Sequence, residues 1–135
     1  MVMSTKRLII YTDGGSRGNP GPGALGVVIE DESGHSITQI SRRIGETTNN
    51  RAEYLAIIAG LDEAARLGAV DVEVRSDSEL LVKQISGQYR VRHPELKPLF
   101  EQVHYLIGRF QSFRIVDIPR GRNKAAHALS HSALR

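Results

Sequence analysis

The chain has 135 residues, of which 40% are hydrophobic and 24% charged, and its formal net charge is +3 at pH 7. This length and balance predict one folded domain over residues 1–135 and argue against a disordered chain. No apolar run approaches the roughly 18 residues of a membrane span, and residues 1–7 lack the apolar region of a secretion signal. The absence of cysteine excludes disulfides and thiolate metal sites, so a cytoplasmic location is expected.

The first predicted strand is the apolar run 8–11, which leads directly to Asp13. We expect the chain to break there into a loop, because residues 14–23 hold five glycines and two prolines. Glycines let a large ligand approach the backbone closely, yet Asp-Gly is also a common turn dipeptide. Asp13 is therefore equally compatible with a turn and with a functional site.

Two further strands, at 24–29 and 36–44, follow with short links and predict an antiparallel meander. A long helix then begins within 47–53 and continues to about residue 67, with apolar residues at helical spacing and a glycine after it. Asn50 and Glu53 fit a capping box at its start. Taken alone, Glu53 is better explained by that structural role than by chemistry.

Valines 70, 72 and 74 alternate with polar residues and predict a fourth strand. A short helix follows, and either Ser76 with Glu79 or Asp77 alone could cap it. The remaining elements are a core-forming helix over 96–110, a strand over 113–118 and a last helix over 124–134. The order is βββαβααβα, which predicts an α/β fold with a five-stranded mixed sheet and helices on its faces.

The positions of three acidic residues, taken together, indicate a site that none of them indicates alone. Asp13 follows the first strand, Asp77 follows a strand expected to pair beside it, and Glu53 lies in the first turn of the helix between them. Three neighbouring carboxylates repel one another strongly unless cations lie between them. Oxygen ligands without cysteine suit a hard ion, Mg²⁺ or Mn²⁺, better than Zn²⁺.

Four segments in register carry a family resemblance. They are Tyr-Thr-Asp-Gly-Gly-Ser at 11–16 with Asn-Pro-Gly at 19–21, Thr-Asn-Asn-Arg-Ala-Glu at 48–53, Ser-Asp-Ser at 76–78 and Pro-Arg-Gly-Arg-Asn-Lys-Ala-Ala-His-Ala-Leu at 119–129. In this order and spacing the chain resembles a type 1 ribonuclease H over nearly its whole length. The resemblance implies the ribonuclease H-like fold and an enzyme that cuts the RNA strand of an RNA–DNA hybrid, leaving 5′-phosphate and 3′-hydroxyl ends.

The family holds two metal ions, Mg²⁺ or Mn²⁺, at four acidic positions. By resemblance, Asp13 bridges both ions, and Glu53 and Asp77 complete most of the cage. The fourth position is normally aspartate, and here it is His127. We expect Asp13, Glu53 and Asp77 to suffice for the metals, with His127 assisting the water shell of the second ion or product departure, so activity is retained. Because imidazole is a poor ligand for Mg²⁺, that activity is expected to be weaker in Mg²⁺ and relatively better in Mn²⁺. The opposing interpretation is an inactive relative. A zinc site formed by His127 and His131 is disfavoured, because the sequence offers no evident third ligand.

The resemblance also implies how the hybrid is bound. Backbone groups of the glycine stretch approach the RNA strand, amide side chains reach the minor groove and a threonine lies near a DNA phosphate. These substrate-binding residues are Gly14, Gly15, Ser16, Asn19, Thr48, Asn49 and Asn50. Structural alternatives remain open, with Asn49 as a helix cap and Asn19-Pro20 as a turn. The candidate phosphate contacts are Arg51, Arg90, Arg92, Arg120, Arg122 and Lys124.

Two other functions compete with this interpretation. One is a non-catalytic member of the fold that binds hybrids or RNA, motivated by His127. The other is a different metal-dependent nuclease or strand-transfer domain of the superfamily. A polymerase-linked domain is disfavoured, because the chain begins and ends near the motif boundaries. We also expect a monomer that has an RNA–DNA hybrid as its partner and no membrane association.

Overall fold

The structure is a computed structural model that describes residues 7–135; residues 1–6 of the predicted domain lie outside the described residues. The predicted order βββαβααβα is confirmed. The strands are β1 Arg7–Ser16, β2 Gly21–Glu30, β3 Ser36–Thr47, β4 Asp71–Ser76 and β5 Ser112–Asp117. The helices are α1 Asn49–Arg66, α2 Glu79–Ile85, α3 Lys97–Ile107 and α4 Lys124–Ala133, with a 3₁₀ turn at Arg120–Arg122 before α4. Within the described chain, no helix is both long enough and apolar enough to cross a membrane.

The five strands form one mixed sheet in the order β3-β2-β1-β4-β5. β1 to β3 form the expected antiparallel meander, and β4 and β5 run parallel to β1. The parallel pairing of β1 with β4 ends at Thr12 and Ser76, so the next residues, Asp13 and Asp77, follow it at the same edge of the sheet. β1 has an antiparallel neighbour, β2, on one side and a parallel neighbour, β4, on the other. In α/β sheets, ligands bind at the strand ends where the strand direction changes in this way.

β1 is longer than predicted, and the expected loop directly after Asp13 is wrong. Residues 13–16 remain extended because they pair with residues 23–26 of β2. The glycines there serve a close approach between elements. A Cβ on Gly14 would lie 2.2 Å from the carbonyl oxygen of Ala52, so only glycine lets β1 pass this near to α1.

The two faces of the sheet are covered differently. Gly60 of α1 packs on Ile10 and Thr12, and α3 packs behind α1, which builds the main core on that face. The opposite face, which carries Asp13, is covered by α4 over β1, β2 and β3. The side chain of Asp13 therefore lies on the face of the sheet that α4 covers.

The contact between β2 and α4 depends on Gly26. A Cβ at this position would lie 2.1 Å from the carbonyl oxygen of Ala126 and 2.6 Å from the amide nitrogen of Ser130. We expect Gly26→Ala to displace α4 and to lower the free energy of unfolding by about 1–3 kcal/mol, measured by urea denaturation. Gly121→Ala is the matched control, since its Cβ would meet nothing within 4 Å. Equal losses in both variants would contradict this account of Gly26.

Candidate active site

An open cavity of about 480 Å³ lies at the edge of the sheet where β1 and β4 meet. It contains all four predicted catalytic residues: Asp13, Glu53, Asp77 and His127. The remaining lining residues are Gly14, Gly15, Ser16, Arg17, Asn49, Asn50, Ser78, Arg120, Ser130, His131 and Leu134. Acids far apart in the chain therefore line one cavity.

The structural roles considered for the acids are wrong. α1 is capped by Thr48, whose Oγ1 accepts a hydrogen bond from the Arg51 amide at 3.3 Å, not by a box of Asn50 and Glu53. α2 is capped by Ser78, whose Oγ accepts from the Leu81 amide at 3.3 Å. The hydroxyl groups of Thr48 and Ser78 thus cap the two helices, so neither Glu53 nor Asp77 acts as a helix cap.

Asp13 is buried, with 7% of its surface exposed. Burial raises the pKa of its carboxyl above the usual value, and the nearby Asp77 carboxylate raises it further. His127 and Ser130 of α4 act in the opposite direction, and Nδ1 of His127 lies 3.4 Å from Oδ2 of Asp13. The histidine therefore faces the carboxylate that is predicted to bridge the metal ions.

Glu53 is directed from α1 toward β1. Its Oε1 accepts a hydrogen bond of 2.8 Å from the Gly14 amide, which the close approach at Gly14 makes possible. Burial raises the pKa of Glu53 to about 8, with repulsion from Asp13 and Asp77 adding to the rise. The hydrogen bond from Gly14 and the charge of Arg120 lower it in part. The cavity is thus a place where negative charge is crowded and a proton or a cation is favoured.

Asn123 is a buried residue that the site prediction missed. Only 1% of it is exposed, and its Nδ2 donates to the Thr12 carbonyl at 2.8 Å and to Oδ2 of Asp77 at 3.2 Å. It thereby joins the start of α4 to the ends of β1 and β4. The available signal was its place in the last motif, 119–129. Buried Ser130 was also missed, although it lies three residues after His127 and so on the same helix face.

The donor set is suited to a hard divalent cation, although the side chains do not enclose one point. Within residues 7–135, no group of three or more histidines or acids is close enough to hold an ion. Instead, Glu53 is bonded to Gly14 and Asp77 to Asn123. Burial and mutual repulsion raise the pKa values of Asp13 and Glu53, and a divalent cation would stabilise such carboxylates in their charged form, so the residues fit Mg²⁺ or Mn²⁺ in chemistry.

His127 and His131 contact each other through their rings, with centroids 4.2 Å apart and planes tilted by 47°. The two histidines therefore pack on one another along α4, with no acid or histidine of the described chain completing a ligand set around them.

Comparisons with known proteins show which family the chain resembles. The family model described as "Reverse transcriptase-like" matches residues 11–133. Ribonuclease HI of Halobacterium salinarum is 41% identical over 128 residues, and the structure of RNase H1 from that archaeon superposes with a TM-score of 0.93 over 95% of this chain and 97% of that one. The chain belongs to the type 1 ribonuclease H family. LC11-RNase H1, isolated from compost, was solved in complex with an RNA/DNA hybrid; it is 45% identical, with a TM-score of 0.89 over 93% of this chain and 95% of that chain.

Relatives in the family are often longer. "Bifunctional protein Rv2228c" of Mycobacterium tuberculosis is 42% identical over 129 residues, which cover 95% of this chain and 35% of that protein. The matched part of the Halobacterium salinarum protein covers 64% of its length. The chain therefore spans about one third and just under two thirds of these two relatives.

Five of the seven predicted substrate-binding residues of this ribonuclease H family member line the cavity: Gly14, Gly15, Ser16, Asn49 and Asn50. Asn19 and Thr48 do not. Oδ1 of Asn19 accepts from the Asn49 amide, and Oδ1 of Asn49 accepts from the Ser16 amide, both at 3.0 Å. Asn49 is therefore not a helix cap, and this chain of bonds fixes the end of β1 against the start of α1.

Proposed function

We propose that the chain is an endonuclease that hydrolyses the RNA strand of RNA–DNA hybrids and leaves 5′-phosphate and 3′-hydroxyl ends. The observation that carries the proposal is the crowding of Asp13, Glu53 and Asp77 in one open cavity at the sheet edge. It is supported by the likeness to LC11-RNase H1, whose solved complex contains an RNA/DNA hybrid.

The family generally uses divalent metal ions. We propose that Asp13, Glu53 and Asp77, with His127 beside them, hold two ions of Mg²⁺ or Mn²⁺. When bound, two such ions activate the attacking water and stabilise the leaving oxygen of the phosphodiester. No protein nucleophile is then needed.

The side chains of this chain have separate tasks in the proposed site. Asn123 orients Asp77 through its Nδ2, and the Gly14 amide orients Glu53. Arg17 and Arg120 line the cavity and attract the phosphates of the substrate. The exposed amides at Asn49 and Asn50 offer hydrogen bonds to the minor groove without sequence preference.

The deciding experiment incubates labelled RNA–DNA hybrid, double-stranded DNA, double-stranded RNA and single-stranded RNA with Mg²⁺, Mn²⁺ or EDTA. We expect cleavage of the hybrid alone, in the RNA strand, and only with a metal. Ligation or kinase labelling of the products then identifies their ends. Cleavage of DNA duplexes instead would select another nuclease of the superfamily.

A second candidate is a non-catalytic hybrid-binding member of the fold, which the histidine at position 127 favours. It requires binding of the hybrid without cleavage in either metal. A cytoplasmic location and a monomeric state remain predictions, and size-exclusion chromatography with light scattering tests the second of them.

His127 provides a direct test of the fourth ligand position. We expect His127→Asp to raise the cleavage rate in Mg²⁺ by about tenfold and to reduce the relative advantage of Mn²⁺, because a carboxylate suits Mg²⁺ better than imidazole does. Rates of both proteins are measured over a series of Mg²⁺ and Mn²⁺ concentrations. His131→Asp is the control on the same helix. Equal rates and equal metal preference in the natural protein and the His127 variant would exclude this role.

A further inference from the structure

A second cavity, of about 380 Å³, lies beside α4 on the same face of the sheet as Asp13. Side chains of β1, β4 and β5 form its floor, and the chain after β5 closes one side. We call it the arginine face; its lining residues are Tyr11, Glu73, Arg75, Arg114, Val116, Ile118 and Arg122.

The arginine face has more positive charge than its one acid compensates. Glu73 is only 6% exposed, and its carboxylate is shared by Arg75 at 2.7 Å, Arg7 at 3.5 Å and Arg114 at 3.7 Å. Arg122 adds a further guanidinium to the lining. Burial of Glu73 requires one partner, and Arg75 supplies it with the shortest contact. Glu73 therefore neutralises the more distant Arg7 and Arg114 less completely, and their charges can attract another anion.

A purely structural role does not account for Arg114. Its side chain is 67% exposed, and exposed ion pairs contribute little to stability. Arg75 differs, because its Nη1 also donates to the Tyr11 hydroxyl at 2.6 Å, which fixes it on the floor. The arginine face thus combines Arg75, which is held by Glu73 and Tyr11, with solvent-facing guanidinium groups, the side chains best suited to phosphate.

The arginine face is continuous with the catalytic cavity. Tyr11 and Arg75 precede Asp13 and Asp77 by two residues on the same side of β1 and β4, a separation of roughly 7 Å along the strands. The 3₁₀ turn connects the two cavities, because Arg120 lines the catalytic cavity and Arg122 lines the arginine face. A basic path therefore leads from the catalytic residues across the sheet.

We propose that the arginine face binds the phosphates of a single-stranded nucleic-acid extension of the substrate, which leaves the catalytic cavity past Arg120. Three strands spaced by about 4.8 Å give a strip roughly 10 Å wide next to α4, which suits one sugar-phosphate strand better than a duplex. Basic grooves that follow a backbone are how proteins hold single strands without reading sequence. This inference rests on the proposed function, since it extends the same substrate.

The test measures binding by fluorescence anisotropy in EDTA, where no cleavage is expected. The probes are a blunt RNA–DNA hybrid and the same hybrid with a single-stranded extension of about eight nucleotides at either end. We expect one extended probe to bind the natural protein about fivefold to tenfold tighter than the blunt hybrid. Arg114→Ala and Arg114→Glu should remove most of that gain and lower the salt dependence by about 0.7 per lost phosphate contact.

Arg109→Ala and Arg109→Glu are the matched controls, because Arg109 is an exposed arginine shortly before β5 and outside both cavities. The Arg109 variants should keep the gain, and the Arg114 variants should bind and cleave the blunt hybrid as the natural protein does. A gain that survives in the Arg114 variants overturns the proposal. Absence of any gain in the natural protein also overturns it and favours an acidic protein surface as partner. If the gain is present but no hybrid is cleaved with metal, the proposed catalytic function alone fails.

Discussion

Asp13→Asn is expected to reduce hybrid cleavage by at least about 1000-fold in either metal. Asp13 interacts electrostatically with both Asp77 and His127 and contributes a buried negative charge to the cavity. Asparagine has nearly the same shape but no charge, so it weakens metal binding and leaves the backbone of β1 in place. Single-turnover cleavage of a labelled hybrid, at saturating protein, measures the loss without a contribution from product release.

The same variant should fold at least as stably as the natural protein in EDTA. Burial and the Asp77 charge raise the pKa of Asp13, which means that ionised Asp13 is unfavourable in the metal-free fold. Asp62→Asn, at an exposed position of α1, is the control for the loss of one charge. Retained cleavage in the Asp13 variant, with the fold intact by circular dichroism, would falsify the assignment of the site.

The sequence was informative where the signal is local and periodic. Alternating valines in β4 and the apolar run in β1 predicted two strands, and placing them side by side brought Asp13 to Asp77. The parallel pairing that ends at Thr12 and Ser76 confirms this step. The order of the elements followed from the same patterns, because strand and helix periods differ clearly in a chain with short links.

Features that depend on packing between distant segments could not be predicted. The glycines after Asp13 indicated a loop, but β2 supplies partners that keep residues 13–16 extended. The local sequence around Glu53 indicated a helix cap, because its actual partner, the Gly14 amide, lies 39 residues away in the chain. Asn123 gave no sign that it would bond to both Thr12 and Asp77, since each contact crosses the domain.

Glu53→Gln is expected to abolish cleavage and yet to stabilise the metal-free protein at alkaline pH. Glutamine retains an oxygen that can accept the hydrogen bond from the Gly14 amide, so the variant removes charge and little else. Burial and the neighbouring carboxylates raise the pKa of Glu53 from 4.5 to about 8. A group with this shift binds its proton more tightly in the folded state than in the unfolded state.

The sign of the pH dependence follows from that difference. Below about pH 4.5 Glu53 is protonated in both states and costs nothing, and between pH 4.5 and 8 the folded state loses stability progressively as pH rises. Glu53→Gln should therefore raise the free energy of unfolding in EDTA by on the order of 4 kcal/mol at pH 9 and by about 1 kcal/mol at pH 5. Urea denaturation at both pH values tests this, with Glu101→Gln on the exposed side of α3 as control. Added Mg²⁺ or Mn²⁺ should reverse the order if the proposed metal site is correct, because the ions would then stabilise the natural protein more than the variant. A gain of equal size at pH 5 and pH 9 would show that charge crowding in the cavity is not its cause.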